Sequence, residues 1–483
     1  MNSGKLRMVV AAIIMYVMQG GTSVLAQELV QMVPQEYVED TPVQVMTLKE
    51  CMEYAVSNST RMRISNADVR DAQLERRNAI LQAFTPSVSA GTYAYYNFGR
   101  SVDPETNTYK STTSFQNGYS ASGSLMLFNG FEAINNIKIT KTAEAMGVSK
   151  VQQTQDEICL ATMEAYFNVI YNHQMCKALE QEVEAARKAL QLARRQEELG
   201  RKGYADVVQI EADLAGKEYR LTNTTNLYNQ ALLTLKDVMF WPLDQPLQID
   251  FSIADEQALA NGEVLVYGGT LDERKEEIVE NALNTLPAAT LARGQMLNAK
   301  RALSTAKFQL LPSLSLSGGW STSYFTYPDE KGYVTTPFNK QFTNNMGEYI
   351  QLSMSIPIYG RLSRQANISR KKNDYVRATA QYEQKMREIE AEVTRALQDK
   401  AGAEAAFLQA NRQARVQQEA YRYNTRKFEQ GLISPIEFQT SSGQWLQARA
   451  EQVNALLRYW LKRCVVEYYS GVPYLEQEGL QGK

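Results

Sequence analysis

An internal duplication is the feature of this sequence that most limits its possible folds. Each half contains the same three landmarks in the same order. The first is a Pro-Ser pair after two apolar or small residues, the second is a tripeptide that ends in glycine, and the third is a glycine about 70 residues further on. The matching positions are Pro86 and Pro312, Gly130 and Gly360, and Gly200 and Gly431, which lie 226, 230 and 231 residues apart. Three landmarks in one order at nearly constant spacing indicate two half-chains of the same architecture.

Each half contains a run of about 70 residues without proline. Residues 129–199 hold two glycines, Gly130 at the start and Gly147, and residues 363–430 hold one, Gly402. At 1.5 Å per residue, each run would form a helix roughly 100 Å long. A glycine suited to a helix C-terminus closes each run, and a second helix is predicted at 206–239 and at 435–469. The sequence therefore predicts two long helical hairpins, at 129–239 and 363–469. Small and apolar residues mark a packed stripe in the second, at Ile389, Val393 and Ala396.

A pair of strands is predicted before each helical hairpin. Residues 87–98 and 119–128 in the first half, and 313–325 and 347–359 in the second, alternate between apolar and small polar residues. About ten alternating residues is the length of a tilted strand that crosses a membrane. We expect the polar loops 99–114 and 326–345 to face outside the cell, and one face of the sheet to contact lipid. The residues expected on that lipid face are Leu314, Leu316, Leu352, Met354 and Ile356, with the alternate Ser and Gln residues facing the lumen.

The whole chain divides accordingly. A helix opens each repeat, at 47–83 and at 271–310, giving a first repeat at 47–240 and a second at 271–470. Residues 241–270, broken by prolines and glycines and with a short strand expected at 247–251, join them, and 471–483 form a tail. Lys5, Arg7 and the apolar run 9–18 predict a signal peptide, 1–26, cleaved after Ala26. An extension, 27–46, follows; no cysteine comes after the cleavage site, so no lipid anchor is expected.

Four membrane strands cannot close a barrel, because known small barrels need about eight. An open strand edge in lipid would leave backbone groups unpaired at a cost of several kcal/mol each. The chain must therefore oligomerise, as a dimer with eight strands or a trimer with twelve, and the pattern alone does not choose.

No enzyme motif interrupts this architecture. The formal net charge is −2, which gives no electrostatic case for nucleic acid. The single histidine, His173, lies mid-helix, and we expect it to be structural. We predict no catalytic, cofactor or metal site, and buried free thiols rather than a Cys51–Cys464 disulfide. A membrane duct explains the strands and the duplication better than a structural or adhesive coiled-coil protein of the envelope, or than a periplasmic enzyme.

These landmarks resemble the TolC-like outer-membrane factors of efflux and type I secretion. The Pro-Ser strand openings, Phe-Asn-Gly, Ile-Pro-Ile-Tyr-Gly and Ala-Tyr-Phe-Asn-Val at 165–169 carry the resemblance over about residues 47–470. Segments 97–104 and 341–345 look like the Bacteroidetes branch. The resemblance implies a mainly α-helical homotrimer with a twelve-stranded outer-membrane barrel continuous with a periplasmic α-barrel. It also implies docking to a periplasmic adaptor (membrane fusion protein), which links the passive duct to an inner-membrane pump of RND or ABC type.

The same resemblance implies where that docking occurs. In the family the turns of the two helical hairpins carry it, and acidic residues in the second turn narrow the pore. The matching docking residues are Gly200, Asp206, Val207, Gly431, Leu432 and Ser434. Glu437 matches the first gate position, whereas Thr440 stands at the second, where some members have a carboxylate. Turn chemistry alone would also place glycine, proline and an acidic residue here.

Overall fold

The computed structural model describes residues 45–102, 107–254 and 275–477. The chain divides into two compact units, a small one of Met1–Val45 with Pro246–Gln248 and a large one of Met46–Gln245 with Ile249–Lys483. The predicted signal peptide, 1–26, lies outside the described residues, as do most of the extension and of the middle segment and the last six residues of the tail.

The labelled elements all belong to the large unit. In the first half they are α1 (Leu48–Asn58), α2 (Thr60–Phe84), β1 (Ser87–Asn97), β2 (Arg100–Val102), β3 (Tyr109–Ser111), β4 (Ser114–Asn129), α3 (Glu132–Glu198) and α4 (Tyr204–Met239). In the second half they are α5 (Lys275–Thr285), α6 (Pro287–Phe308), β5 (Ser313–Thr326), α7 (Phe338–Asn344), β6 (Gly347–Ser355), α8 (Ser363–Glu429) and α9 (Pro435–Tyr469).

The helix that opens each half is broken, which corrects the prediction of one continuous helix at 47–83 and at 271–310. Ser59 has ψ 129°, and its hydroxyl caps α2 by accepting the Arg61 N–H. In the second half Leu286 takes an extended conformation and Pro287 starts α6. Ser and Pro both favour a helix start over a helix interior, so each break follows from local capping chemistry.

Four antiparallel strands form one sheet in the order β1–β4–β5–β6. β4 begins five residues before the predicted start. β6 ends at Ser355 rather than at 359, because Pro357, two residues further on, has no N–H to donate to a neighbouring strand. The two loops expected to be irregular contain structure: β2 and β3 pair as a ribbon, and α7 lies between β5 and β6.

The strand register separates two faces of the sheet. Leu316 pairs with Leu125 and Leu352, while Leu314 pairs with Met354. Because cross-strand partners share a face, these residues define one side, here called the leucine face. Its opposite, the serine face, carries the pairs Ser315–Ser353, Ser317–Gln351 and Ser124–Ser317. The predicted alternation is therefore present in the register, and contact of the leucine face with lipid remains a prediction.

The long helices are true repeats of one another. α3 and α8 each have 67 residues, begin 231 positions apart and follow a residue in the left-handed conformation, Phe131 or Leu362. The matching left-handed partners are Gly130 and Arg361, so Gly360 is not the structural equivalent of Gly130. The predicted ends of the four long helices hold to within three residues. Among the described residues, none of the helices is long and apolar enough to cross a membrane.

The core lies where the helices pack side by side. One cluster joins α5 and α6 to α8 and α9, and it contains the predicted stripe of Ile389, Val393 and Ala396. All four cysteines are free thiols. Burial raises the pKa of Cys51 and of Cys464 to about 12, as expected for inert thiols in an apolar core.

Candidate functional site

Both hairpin turns use the same cap. In the first, Gly200 has φ +68°, its N–H donates to the Glu197 carbonyl at 2.8 Å, and the Arg201 N–H donates to Gln196 at 2.8 Å. In the second, Gly431 has φ +74°, and the corresponding bonds run to Phe428 (3.0 Å) and from Leu432 to Lys427 (2.8 Å). This pair of bonds is the Schellman motif, which needs a left-handed residue and therefore favours glycine. We call the two turns, residues 199–206 and 430–437, tip 1 and tip 2.

The helices that leave the two tips start differently. In tip 2, Ser434 and Glu437 form a capping box: the Glu437 N–H donates to Ser434 Oγ, and the Ser434 N–H donates to Glu437 Oε2, both at 3.2 Å. In tip 1, Gly203 stands at the cap without a side-chain bond, and Asp206 lies in the first turn of α4. An acidic side chain there complements the helix dipole. Glu437 is thus engaged in helix capping on an exposed surface.

The predicted site residues do not all lie on the surface. Gly200, Gly431, Leu432, Ser434, Glu437 and Thr440 are exposed, and Asp206 is partly exposed. Val207 is only 4% exposed and packs in a core beneath the tips with Ile210, Phe428 and Phe438. Val207 is therefore placed to hold the shape of the tip, and its docking role stays a prediction. The Thr440 hydroxyl donates to the Ile436 carbonyl within its own helix, at 2.8 Å.

Large apolar side chains next to both capping glycines are exposed to solvent. Leu199, Tyr204, Leu432 and Ile436 are 64%, 73%, 67% and 63% exposed. Only Leu432 was singled out from the sequence. The signal that could have found the others is their position: each lies within five residues of a capping glycine, where a plain turn favours polar residues. An exposed apolar group concentrated at two turns is the typical mark of a protein contact.

A cation–π contact links tip 1 to the second hairpin, next to an aromatic pair within that hairpin. The rings of Phe428 and Phe438 stack at 4.6 Å, and the Lys202 ammonium of tip 1 lies 4.4 Å from the Phe428 ring centre. Burial lowers the pKa of Lys202, which the nearby Asp206 carboxylate partly offsets. Tip 1 is therefore anchored on the helix that leads into tip 2.

A buried polar cluster above the tips joins the two hairpins. Lys217 of α4 lies 2.8 Å from Glu182 of α3 and 2.9 Å from the Ser442 hydroxyl of α9, and Ser442 also donates to Glu182. The side chains of Lys217 and Glu182 are 8% and 2% exposed. A third carboxylate, Asp213, is 3.4 Å from Lys217. Tyr421 of α8 lies beside this cluster: burial, and then the Glu182 carboxylate, raise the pKa of its hydroxyl. The cluster therefore involves residues of four helices.

A groove of about 820 Å³ runs along the hairpins next to this cluster. Its floor is apolar and its rim is charged. The floor residues are Ala185, Ala189, Leu192, Phe428 and Phe438, and the rim residues are Glu180, Glu184, Lys188 and Glu429. Within the described part of the chain, no group of three or more His, Cys, Asp or Glu residues is placed to hold a metal ion. The tips and the groove therefore present exposed apolar surface with a charged border.

Comparison with known families decides the class of the protein. The model of the outer membrane efflux protein family matches residues 53–239 and 281–461, one half-repeat each. The chain belongs to this family. Its members are transport proteins of the outer membrane, and the protein is an exit duct of efflux that extends into the periplasm. The predicted function is confirmed at that level, in preference to a structural or adhesive coiled coil.

Solved structures share the fold at low sequence identity. The outer membrane protein VceC of Vibrio cholerae matches with a TM-score of 0.70 and 14% identity, over 88% of this chain and 96% of that one. The outer membrane channel CmeC of Campylobacter jejuni matches with a TM-score of 0.68 and 13% identity, over 92% and 90%. The open state of the channel MtrE of Neisseria gonorrhoeae gives 0.64 and 15%, over 93% and 96%. No curated protein matches this sequence. These likenesses confirm the predicted mainly α-helical fold of the TolC-like channels.

Proposed function

We propose that three copies of this chain form the exit duct of a tripartite efflux or type I secretion system. In this assembly tips 1 and 2 dock on a periplasmic adaptor, and an inner-membrane pump of RND or ABC type drives transport through the passive duct. The docking proposal is supported by four exposed apolar residues at the tips: Leu199, Tyr204, Leu432 and Ile436. Each hairpin places two such residues on a turn that is closed by the same glycine cap.

The sheet supports association with further copies. Among the described strands, β1 and β6 are the edges, and each has one neighbour. Along the order β1–β4–β5–β6 the strands alternate in direction, so β6 runs opposite to β1. Rotation about a common axis keeps strand directions, so β6 of one copy would meet β1 of the next copy in antiparallel pairing. Such pairing satisfies the backbone groups of both edges, which lipid could not. Three copies give a twelve-stranded barrel.

The groove beside the tips supports a helical partner. An apolar floor of alanines and phenylalanines with an acidic and basic rim suits an amphipathic helix, whose apolar stripe would cover the floor. The adaptor's helical hairpin is the partner we propose for it. Charged rim residues would then set orientation more than affinity.

The docking proposal is tested with the pair Leu432→Ser and Ile436→Ser, which leaves Gly431, Ser434 and Glu437 in place. We expect efflux of a reporter dye from cells to fall to the level of cells that lack the chain, while the detergent-stable oligomer still forms. The matched control is Val416→Ser on α8, an exposed apolar residue away from the tips. That variant should export normally.

Two results would overturn this proposal in different ways. Normal efflux by the double variant, with the oligomer present, would show that the tips only reverse the chain. A detergent-solubilised mass of one copy, for the unaltered protein, would remove the trimer. Site-specific photocrosslinking at Leu432 gives a direct check, because its product should contain a periplasmic adaptor with a helical hairpin.

We also propose that Glu437 and Thr440 line the narrowest part of the pore at tip 2. Both are exposed, and α9 separates them by three residues, which places them on one side of the helix. In a symmetric trimer three Glu437 carboxylates would come together, whereas Thr440 would add a neutral ring. The pore would then have one acidic ring rather than two.

A further inference from the structure

The segment between β5 and β6 does not extend away from the sheet as a free polar loop. Its helix α7 lies across the sheet and packs two phenylalanines on it. The Phe338 ring is 6.1 Å from Tyr119 and 5.5 Å from Tyr324, and the Phe342 ring is 5.6 Å from Tyr119 and 5.7 Å from Trp320. Four ring contacts at these distances hold the helix by the geometry that aromatic pairs prefer.

Hydrogen bonds fix the same helix to the strand. The buried Gln341 side chain donates to the Phe325 carbonyl at 2.9 Å and accepts the Phe325 N–H at 3.0 Å. The Thr322 hydroxyl donates to the Phe342 carbonyl at 2.7 Å, and the Asn345 amide donates to the Ser323 carbonyl at 2.8 Å. α7 is therefore a docked element of the sheet rather than a mobile excursion.

The register tells which face α7 covers. Trp320 pairs with Ala121, and Thr322 pairs with Tyr119. Along β5, Leu314, Leu316, Trp320, Thr322 and Tyr324 are all even-numbered and share a face, because side chains alternate along a strand. α7 thus lies on the leucine face. The serine face, which carries the polar pairs, is the other side.

Aromatic residues flank the aliphatic part of the leucine face at both ends. At one end stand Tyr119, Trp320 and Tyr324 under α7; at the other, Phe128 contacts Phe131 at 5.2 Å, which contacts Phe308 at 5.5 Å. Phe128 pairs with Leu314, eight residues along β5 from Thr322. At about 3.3 Å per residue this is roughly 26 Å of strand, or roughly 20 Å along the axis at a tilt of about 40°. An apolar band of about 25 Å between two aromatic girdles is what a strand in a bilayer presents to lipid.

We propose that α7 is an interfacial anchor that lies in the outer leaflet of the outer membrane at the level of the lipid headgroups. This rests on the proposed duct, in which the leucine face contacts lipid. Phe338 remains 46% exposed despite its ring contacts, so apolar surface is left for acyl chains. Asn339, Lys340 and Thr343 are exposed and suit headgroups, with Lys340 available to lipid phosphate. Because α7 is on the leucine face, it does not narrow the duct.

Spin labels on single cysteines test this by depth in the membrane. The labelled positions are Asn339 on α7, Leu352 on the leucine face, Gln351 on the serine face and Val334 in the segment before α7. Cys176, the least buried native thiol, is replaced by serine. The assembled protein is placed in vesicles of lipopolysaccharide and phosphatidylethanolamine, and accessibility to oxygen and to a water-soluble nickel chelate is measured for each label.

We expect the ratio of oxygen to nickel accessibility to be highest at Leu352, intermediate at Asn339 and low at Val334 and Gln351. A ratio at Asn339 equal to that at Val334, with Leu352 still in lipid, would overturn the anchor and leave the duct intact. Reversed ratios at Leu352 and Gln351 would show that the serine face meets lipid, which would overturn the face assignment of the duct itself. Efflux and oligomer mass, measured on the same variants, report separately on the proposed function.

Discussion

At the scale of single residues, the buried pair of Lys217 and Glu182 has a predictable effect on stability. Both charges are removed from water and compensate each other, with help from Ser442 and, for Lys217, from Asp213. Removing one partner of such a pair leaves an unpaired buried charge, which costs more than the pair itself contributes. The asymmetry gives a test that separates this cluster from the many ion pairs on the helix surfaces.

We expect Lys217→Met to lower the free energy of unfolding by about 3–5 kcal/mol, because Glu182 is then buried without its cation. Adding Glu182→Leu should recover part of that loss, since Glu182 no longer needs a cation and only Asp213, whose side chain is 12% exposed, still lacks its partner. Denaturant unfolding in detergent measures the change, and hydrogen exchange of the first turns of α9 should rise in the single variant only. A single variant as stable as the unaltered protein would contradict the burial of the pair.

A matched control lies on the same two helices. Arg187 of α3 and Glu218 of α4 are 2.8 Å apart, but both side chains are about half exposed. Solvent screens this pair, so Arg187→Met should cost less than about 1 kcal/mol. The comparison holds helix and residue type nearly constant and changes only burial.

At the scale of elements, the two faces of the sheet should differ in their tolerance of charge. Leu316→Arg places a guanidinium on the leucine face and should cost about 2–4 kcal/mol near the bilayer midplane. Ser315→Arg, one residue away on the serine face, should be tolerated because an arginine there meets water. The yield of heat-stable oligomer in vesicles measures both. Equal defects from the two substitutions would mean that the faces are not distinguished by lipid.

Elements with a long, regular signal were predictable from the sequence. The runs without proline, the glycine caps and the alternating strands set the two hairpins and the sheet to within a few residues, apart from the early start of β4 and the early end of β6. α7 was not predictable, because Phe338 and Phe342 give only one helical repeat, and the ring partners on β4 and β5 that stabilise it are distant in sequence. Ser59 was missed for a similar reason: one capping hydroxyl broke a helix that the hydrophobic pattern continued.

The site was predictable only as a location. Gly200 and Gly431 mark both tips, since a left-handed cap favours glycine. Whether Val207 lies inside or outside depends on Phe428 and Phe438, more than 200 residues away in the other repeat. The burial of the Lys217–Glu182 pair could not be predicted from the sequence either. Charged residues on helices are normally solvated, and the residues next to these two do not distinguish them from other charged residues.

At the scale of the whole molecule, each residue of the proposed trimer occurs three times around the common axis, so one side chain per chain can form a ring of three. Glu437 occurs once per chain and would occur three times around the pore of tip 2. Three carboxylates close together attract cations and repel one another. The same residue also caps α9 through Ser434, so its role in the pore must be separated from its role in the turn.

Glu437→Gln makes that separation, because glutamine keeps the volume and can still close a capping box while the charge is lost. In planar bilayers we expect raised basal conductance and weaker preference for cations, with the oligomer unchanged. Ser434→Ala is the control: it removes the capping hydroxyl and keeps the carboxylate, so conductance should stay as in the unaltered protein. Thr440→Asp should act in the opposite direction to Glu437→Gln by adding a second acidic ring, since the Thr440 hydroxyl bonds only within its own helix. If Glu437→Gln leaves conductance and selectivity unchanged in a confirmed trimer, Glu437 serves the turn alone and the pore is narrowed elsewhere.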